Sequence, residues 1–346
     1  MMTENGKPGG PTTACGGCAG KQTRCLSLLS GGLDSMLAIC VLRGQGVHVE
    51  AVSFASPFFN TAAAQHAARE LNVPLHTVDF TDDILELIEH PPHGFGGHMN
   101  PCIDCHARMI RRAGERMAAL GFDCVATGEV LGQRPMSQNR HSLDIVIRDS
   151  GMEDFLVRPL SAKLMEPSRP EREGLIDRER LLGLSGRSRK PQMALAAAYG
   201  IRKYPTPAGG CLLTDEGFCR RLGNLLADRG NRDLRSLRLL RIGRHLRLPG
   251  GSTCIIGRNQ ADNEALQRAF AEGDVLLDTV NVPGPTLLIP FGVRAAADIA
   301  QAVRVCAAYS GHRGRPTVEV RVVASGDARV HTVAGGSRDA YASWVL

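Results

Sequence analysis

Two stretches of this chain concentrate residue types that can do chemistry. The first is S-G-G-L-D-S, Ser30 to Ser35, which follows the apolar run C-L-S-L-L and leads straight into a helical pattern. Gly31 and Gly32 allow a tight turn that brings backbone N–H groups forward. Ser30 and Ser35 add hydroxyl donors, and a helix starting near Asp34 lays the positive end of its dipole at the same place. Such a turn suits a chain of phosphates. The stretch lacks the G-x-x-x-x-G-K-[ST] spacing with its lysine and is no G-x-G-x-x-G, so neither familiar nucleotide fingerprint applies. Asp34 is the candidate for holding Mg2+ or orienting a leaving pyrophosphate. An ordinary Gly-rich turn with Asp or Ser capping the next helix has the same look.

The second concentration is cysteine, eleven in all. In N-P-C-I-D-C-H-A-R-M-I, residues 100–110, Asn100-Pro101 stops the preceding coil. The spacing of Ile103, Ala107, Ile110, Gly114 and Met117 predicts a helix from about Cys102 to Leu120. Cys102 and Cys105 then share a face of its first turn, where a helix N-terminus is expected to lower thiol pKa. Cys211 follows T-P-A-G-G, which predicts an exposed position on a tight loop. Three thiolates suit a 4Fe-4S cluster with one iron left open, able to hold sulfide. With His106 or a fourth cysteine they make a closed zinc site instead, and Cys105 with Cys211 alone suits a persulfide and disulfide pair without metal.

The remaining cysteines read differently. Cys15 and Cys18 lie in a Gly-rich tail with no second pair nearby, too little for a local zinc finger. Cys25, Cys40, Cys124 and Cys306 fall on apolar faces and read as core. Cys219 reads as buried or a bystander, with a resolving thiol or spare ligand as the other option. Between residues 126 and 139, A-T-G-E-V-L-G-Q-R-P-M-S-Q-N supplies Gly128 and Gly132 for close approach to a nucleotide. Gln133 and Gln138 there can hydrogen-bond the nucleotide or a target base, although a plain surface loop fits the same residues.

These residues need elements to hold them. Apolar runs alternate with helical patterns: C-L-S-L-L then M-L-A-I-C-V-L-R-G, V-H-V-E-A-V-S-F-A then T-A-A-A-Q-H-A-A-R-E-L-N, V-P-L-H-T-V-D-F then D-D-I-L-E-L-I-E-H. That order predicts an α/β fold with a parallel sheet and flanking helices, whose ligands bind beyond the carboxyl ends of the strands. The expected organisation is a flexible tail over 1–23, a nucleotide domain over 24–160, a helical and loop extension carrying Cys211 over 161–228, and a smaller basic α+β domain over 229–346. Arg187, Arg189 and Lys190 in the extension are expected at the surface. The chain has 346 residues, 43% hydrophobic, with a net charge of +6. The beginning has no apolar centre of a signal peptide and no run long enough to span a membrane, so the expectation is a cytoplasmic protein with free thiols.

S-G-G-L-D-S at the end of a first strand resembles the pyrophosphate loop of the N-type ATP pyrophosphatases. The resemblance implies cleavage of ATP between its α and β phosphates, with Mg2+, and adenylation of a substrate oxygen. N-P-C-I-D-C and G-G-C-L-L-T resemble the paired cysteine regions of tRNA 2-thiouridine and 4-thiouridine synthases, with Cys102 added as in the cluster-dependent members. T-G-E-V-L-G-Q-R-P-M-S-Q is similar to a segment of the 4-thiouridine branch. What this implies is a tRNA thiolase that adenylates a uridine carbonyl oxygen and replaces it with sulfur, the sulfur arriving as sulfide or from a persulfide-carrying donor. The bacterial 4-thiouridine synthases carry an RNA-binding region ahead of this loop and often a rhodanese-like domain behind, and neither is expected here.

Another docking surface for RNA is then needed. R-G-N-R-D-L-R-S-L-R-L-L-R-I-G-R-H-L-R places Arg229, Arg232, Arg235, Arg238, Arg241, Arg244 and Arg247 at every third position. That spacing makes a broad basic surface and no single stripe. The G-R-H and G-R-N pieces of residues 239–266 resemble an RNA-binding domain shared with ribosome quality-control and fibronectin-binding-like proteins. The resemblance implies phosphate contacts from Arg238, Arg241, Arg244, Arg247 and Arg258. The expected partner is tRNA, with no membrane, and a homodimer stays open. Two other classes compete: an ATP-dependent ligase of a small molecule with zinc in the cysteine site, and a non-catalytic nucleotide- and RNA-binding protein. The basic C-terminal region speaks against the first, and the intact phosphate turn against the second.

Overall fold

A computed structural model describes residues 22–205, 211–227, 233–311 and 315–346. Cys15, Cys18, Arg229, Arg232 and the T-P-A-G-G run before Cys211 lie outside the described residues. Strands β1 (Arg24–Leu28), β2 (His48–Ala55), β3 (Leu75–Asp79) and β4 (Cys124–Ala126) alternate with helices α1 (Leu33–Arg43), α2 (Ala62–Leu71), α3 (Thr81–Glu89) and α4 (Cys102–Leu120). Helix α5 (Arg140–Ser150) and strand β5 (Leu156–Val157) complete the sheet, followed by α6 (Arg169–Arg172) and α7 (Lys190–Ala198). The strand order is β3-β2-β1-β4-β5, with β1 parallel to β2 and β4, and β4 parallel to β5.

This is the expected α/β fold. Cys25, Leu26, Cys124, Val125 and Ala126 are wholly buried, because strands covered on both faces need apolar side chains in succession and not in alternation. The order also has a consequence for chemistry. From β1 the chain adds β2 and β3 on one side and later β4 and β5 on the other, so the turns after β1 and β4 leave the sheet at its switch point.

A second sheet has the order β11-β10-β8-β9-β7-β6, all neighbours antiparallel. Its strands are β6 (Arg244–Arg247), β7 (Thr253–Ile256), β8 (Val275–Thr279), β9 (Leu287–Ile289), β10 (Thr317–Ala324) and β11 (Asp327–Ala334). Helices α8 (Glu216–Ala227), α9 (Leu234–Leu239), α10 (Gln260–Ala269) and α11 (Ala297–Ala308) go with it. Alternation along β7 shows how the faces divide: Cys254 and Ile256 join Val303 and Cys306 of α11 in one core, while Ile255 joins Leu239 and Leu266 in another. The chain forms two compact units, one drawing on Met1–Val52, Ala64–His76 and Met109–Tyr204, the other on Ser53–Ala63, Thr77–Arg108 and Pro205–Leu346. Among the described residues no helix is long and apolar enough to cross a membrane.

Candidate functional site

At the carboxyl end of β1 the backbone turns through Gly31 at φ +82°, a conformation that strongly favours glycine. Ser30 Oγ accepts from Gly32 N at 3.3 Å and lies 3.3 Å from Ser35 Oγ, and Ser35 Oγ donates to Gly32 O at 2.8 Å. The turn is thus braced by its own hydroxyls. Helix α1 starts at Leu33, one residue before the sequence expectation, with Asp34 in its first turn.

The loop after β4 packs directly onto this turn. A Cβ added at Gly128 would lie 2.5 Å from Ser35 N and 2.6 Å from the Asp34 carbonyl carbon. The expectation placed Gly128 close to a nucleotide, and the structure places it against the backbone of the Ser30–Ser35 turn. Gln133 Nε2 donates to Asp34 Oδ2 at 2.7 Å, and Gln192 Nε2, from α7, donates to Gln133 Oε1 at 3.0 Å. Asp34 Oδ1 is buried and has no hydrogen-bond partner among the described residues. The loop is anchored by Glu129, which accepts from Thr127 Oγ1 at 3.1 Å and pairs with buried Arg158 at 2.9 Å. Gln138 is buried and its Oε1 has no partner among the described residues, while Gly132 N donates to Gln138 O at 2.7 Å.

A direct expectation follows from this contact. Gly128→Ala pushes a methyl group into backbone that cannot yield as a side chain end would, costing on the order of 1–3 kcal/mol or displacing the turn. We expect a lower melting temperature together with a loss of nucleotide affinity in equilibrium titration. A variant with wild-type stability and affinity would show that the turn tolerates displacement.

The thiols occupy the other unit. Helix α4 spans Cys102–Leu120, as the apolar spacing predicts, with Cys102 half-buried and Cys105 buried. Cys211 is half-buried at the start of a short 3-10 turn, less exposed than the sequence implied, and its carbonyl accepts from Thr214 N and Oγ1. At Cys105 the expected lowering of the thiol pKa is reversed. Burial first, then Cys102, Cys211, Asp104 and Asp83, push the Cys105 thiol well up, and burial, with Cys102 and Cys219, pushes Cys211 up. Loss of hydration outweighs the helix N-terminus when the sulfur is this enclosed.

Cys102 and Cys211 each act on Cys105, and Cys102 acts on Cys211, so the three thiols lie within electrostatic reach of one another. Asp104, between the first two, is engaged by His93 Nδ1 at 2.7 Å and His93 N at 3.1 Å. Cys219 is buried, its Sγ 3.1 Å from Leu213 O. Among the described residues no group of three or more His, Cys, Asp or Glu is arranged to hold a metal ion. Three thiols are the donor chemistry of a cluster or zinc, and among the described residues they are not arranged as a ligand set.

Residues 20–163 match the family model for thiamine biosynthesis protein (ThiI), and residues 243–345 match the NFACT protein RNA binding domain. The chain has a stretch similar to ThiI ahead of a stretch similar to the NFACT RNA binding domain. A probable tRNA sulfurtransferase of Thermoanaerobacter sp. is 35% identical over 143 residues, 38% of this chain and 35% of that protein. The tRNA-specific 2-thiouridylase MnmA of Marinobacter nauticus is 29% identical over 151 residues, 39% of this chain and 36% of that protein. The chain thus spans about a third of the length of these curated relatives. A solved structure, the predicted subunit of tRNA methyltransferase from Methanocaldococcus jannaschii, is 15% identical with a TM-score of 0.33, covering 51% of this chain and 76% of that one.

Within and beside the NFACT-type domain the arginines divide. Arg238, Arg241 and Arg244 are exposed, on the end of α9, the following turn and the start of β6. Arg244 lies 5.5 Å from the Tyr309 ring centre, and Arg241 Nη1 reaches Pro57 O at 3.5 Å. Arg247 is half-buried and bonded to Gly251 O and Asn224 Oδ1. Arg258 pairs with Asp262 at 2.7 Å and Arg235 pairs with Asp274. In the first unit Arg187 and Lys190 are exposed, whereas Arg189 is half-buried, its Nε without a hydrogen-bond partner among the described residues. Gln192 was missed by sequence reasoning; its one signal was a polar residue in the otherwise apolar run M-A-L-A-A-A beside it.

Proposed function

We propose that this protein is an ATP-dependent tRNA sulfurtransferase. The observation that carries this reading is the state of Asp34: a carboxylate in the phosphate turn with one oxygen fixed through Gln133 and Gln192 and the other buried without a partner. A buried anion oxygen left unmatched is costly unless a cation takes it, which fits Mg2+ accompanying ATP. Backbone N–H groups at the start of α1, with Ser30 and Ser35, bind the phosphates.

A uridine carbonyl oxygen attacks the α-phosphorus, the bond to the β-phosphate oxygen breaks and pyrophosphate leaves. The product is an adenylated uridine. A sulfur nucleophile then attacks the activated ring carbon, and AMP departs with the former carbonyl oxygen. Donors preorganised around the phosphates stabilise the charge that develops there. We assign the sulfur chemistry to Cys102, Cys105 and Cys211. A 4Fe-4S cluster on these three thiolates would supply an open iron position for sulfide. The four-part division at residues 23, 160 and 228 belongs to this proposal, as does tRNA contact through Arg238, Arg241, Arg244, Arg247 and Arg258.

Nucleoside mass spectrometry of tRNA from a strain lacking the gene tests the reading. One thionucleoside should disappear and return on complementation. An unchanged thionucleoside profile would remove the tRNA sulfurtransferase assignment.

A further inference from the structure

A cavity of about 230 Å3 lies between α8, α9 and the second sheet, with Arg221, Asn224, Ser236, His245, Arg247 and Arg294 in its wall. Two of its arginines, Arg221 and Arg247, make no ion pair among the described residues. Arg221 Nε donates to Leu240 O at 3.2 Å, and Arg247 donates to Gly251 O at 3.0 Å and Asn224 Oδ1 at 3.3 Å. A guanidinium carries five N–H donors, so both retain donors for a ligand. Asp215, the carboxylate that acts on Arg221, is engaged with Phe218 N at 2.6 Å.

The electrostatics of this wall point one way. Burial and the nearby Arg258 and Arg220 push the Arg221 pKa down, which is the signature of positive charge crowded where water is scarce. Burial and Arg221 hold His245 near a pKa of about 4, leaving it neutral, with Nε2 3.2 Å from both Leu239 O and Ile242 O. A second observation is independent of charge. Ser236 is 4% exposed, lines the cavity, and its Oγ has no hydrogen-bond partner among the described residues. Buried hydroxyls are ordinarily satisfied, so an unmatched one beside two arginines with spare donors marks a place for an acceptor.

We propose that this cavity is a receptor for a single phosphate group, whose oxygens are taken by the guanidiniums of Arg221 and Arg247 and by Ser236 Oγ. Planar guanidinium donors match phosphate oxygens in pairs, and a hydroxyl completes the cage. Arg221, Asn224 and Ser236 lie outside the residues matched by the NFACT model, so the wall is built jointly by that domain and the helices preceding it. The phosphate comes either from a polynucleotide end, which rests on the tRNA reading above, or from free phosphate.

Isothermal titration of the full chain with inorganic phosphate, and with an oligoribonucleotide with and without a 5′-phosphate, tests this. Saturable binding of inorganic phosphate, or tighter binding of the phosphorylated oligonucleotide, is expected. Arg247→Gln and Ser236→Ala should each weaken it by about tenfold or more, in keeping with loss of a charge-assisted or buried hydrogen bond. Arg321→Gln, which loses only its pairing with Asp278 on the second sheet, should bind as wild type, and melting curves verify that each variant folds. A preference for the phosphorylated oligonucleotide that Ser236→Ala abolishes assigns the RNA source, and phosphate binding without that preference assigns free phosphate. No saturable binding of either, or equal binding by all variants, overturns the proposal. tRNA thiolation measured on the same protein keeps the two readings apart, since its persistence without phosphate binding removes only the receptor.

Discussion

Asp34→Ala lowers pyrophosphate release from ATP by about a thousandfold or more, the scale on which removal of a preorganised charge at a phosphoryl centre acts. In the proposed reading this carboxylate is the anion of the phosphate turn, and Gln133 with Gln192 behind it fixes the direction of Oδ2. The fold should survive. Asp34 is only half-buried, and an acidic residue in a first helical turn contributes about 0.3–1 kcal/mol. A coupled pyrophosphate assay with tRNA present, beside a melting curve, reads both effects. Gln192→Leu should give a graded loss, because it frees Gln133 without removing the carboxylate. Wild-type pyrophosphate release from Asp34→Ala would disprove the assignment of this turn.

The other large effect concerns sulfur. Under the cluster reading, Cys102→Ala, Cys105→Ala and Cys211→Ala each abolish iron binding and thiolation together, and anaerobically reconstituted wild-type protein is brown with about four iron per chain. Iron analysis, the visible spectrum and a thiolation assay are read on the same samples. Cys102 is the discriminating residue. A persulfide pair of Cys105 and Cys211 needs no third thiol, and a zinc site gives colourless protein with about one zinc per chain. Full thiolation by iron-free Cys102→Ala would end the cluster reading and leave sulfur transfer by the remaining pair.

Much of the local architecture is written in short-range pattern. The apolar run before Ser30, the glycines after it and the helical spacing beyond it suffice to place a Gly-rich turn between a strand and a helix. The start of α4 at Cys102 follows from Asn100-Pro101 and the spacing of Ala107, Ile110 and Met117 in the same way. These are properties of a backbone period and of steric rules that act over a few residues.

The sequence by itself therefore determined the α/β alternation, the Gly-rich turn between β1 and α1 and the two thiols in one helical turn. Tertiary structure decided where the polar atoms are committed. Gln133 meets Asp34 across 99 residues of chain and Gln192 meets Gln133 across 59, so no local pattern could assign them to each other. The thiol pKa went the opposite way to the helix-terminus rule because enclosure by packing sets the hydration of Cys105. Arg258 is tied to Asp262 while Arg221 and Arg247 make no ion pair among the described residues, although all three carry the same guanidinium. A residue type states what a side chain can do; its remaining donors, its hydration and its neighbours exist only once distant segments have packed around it.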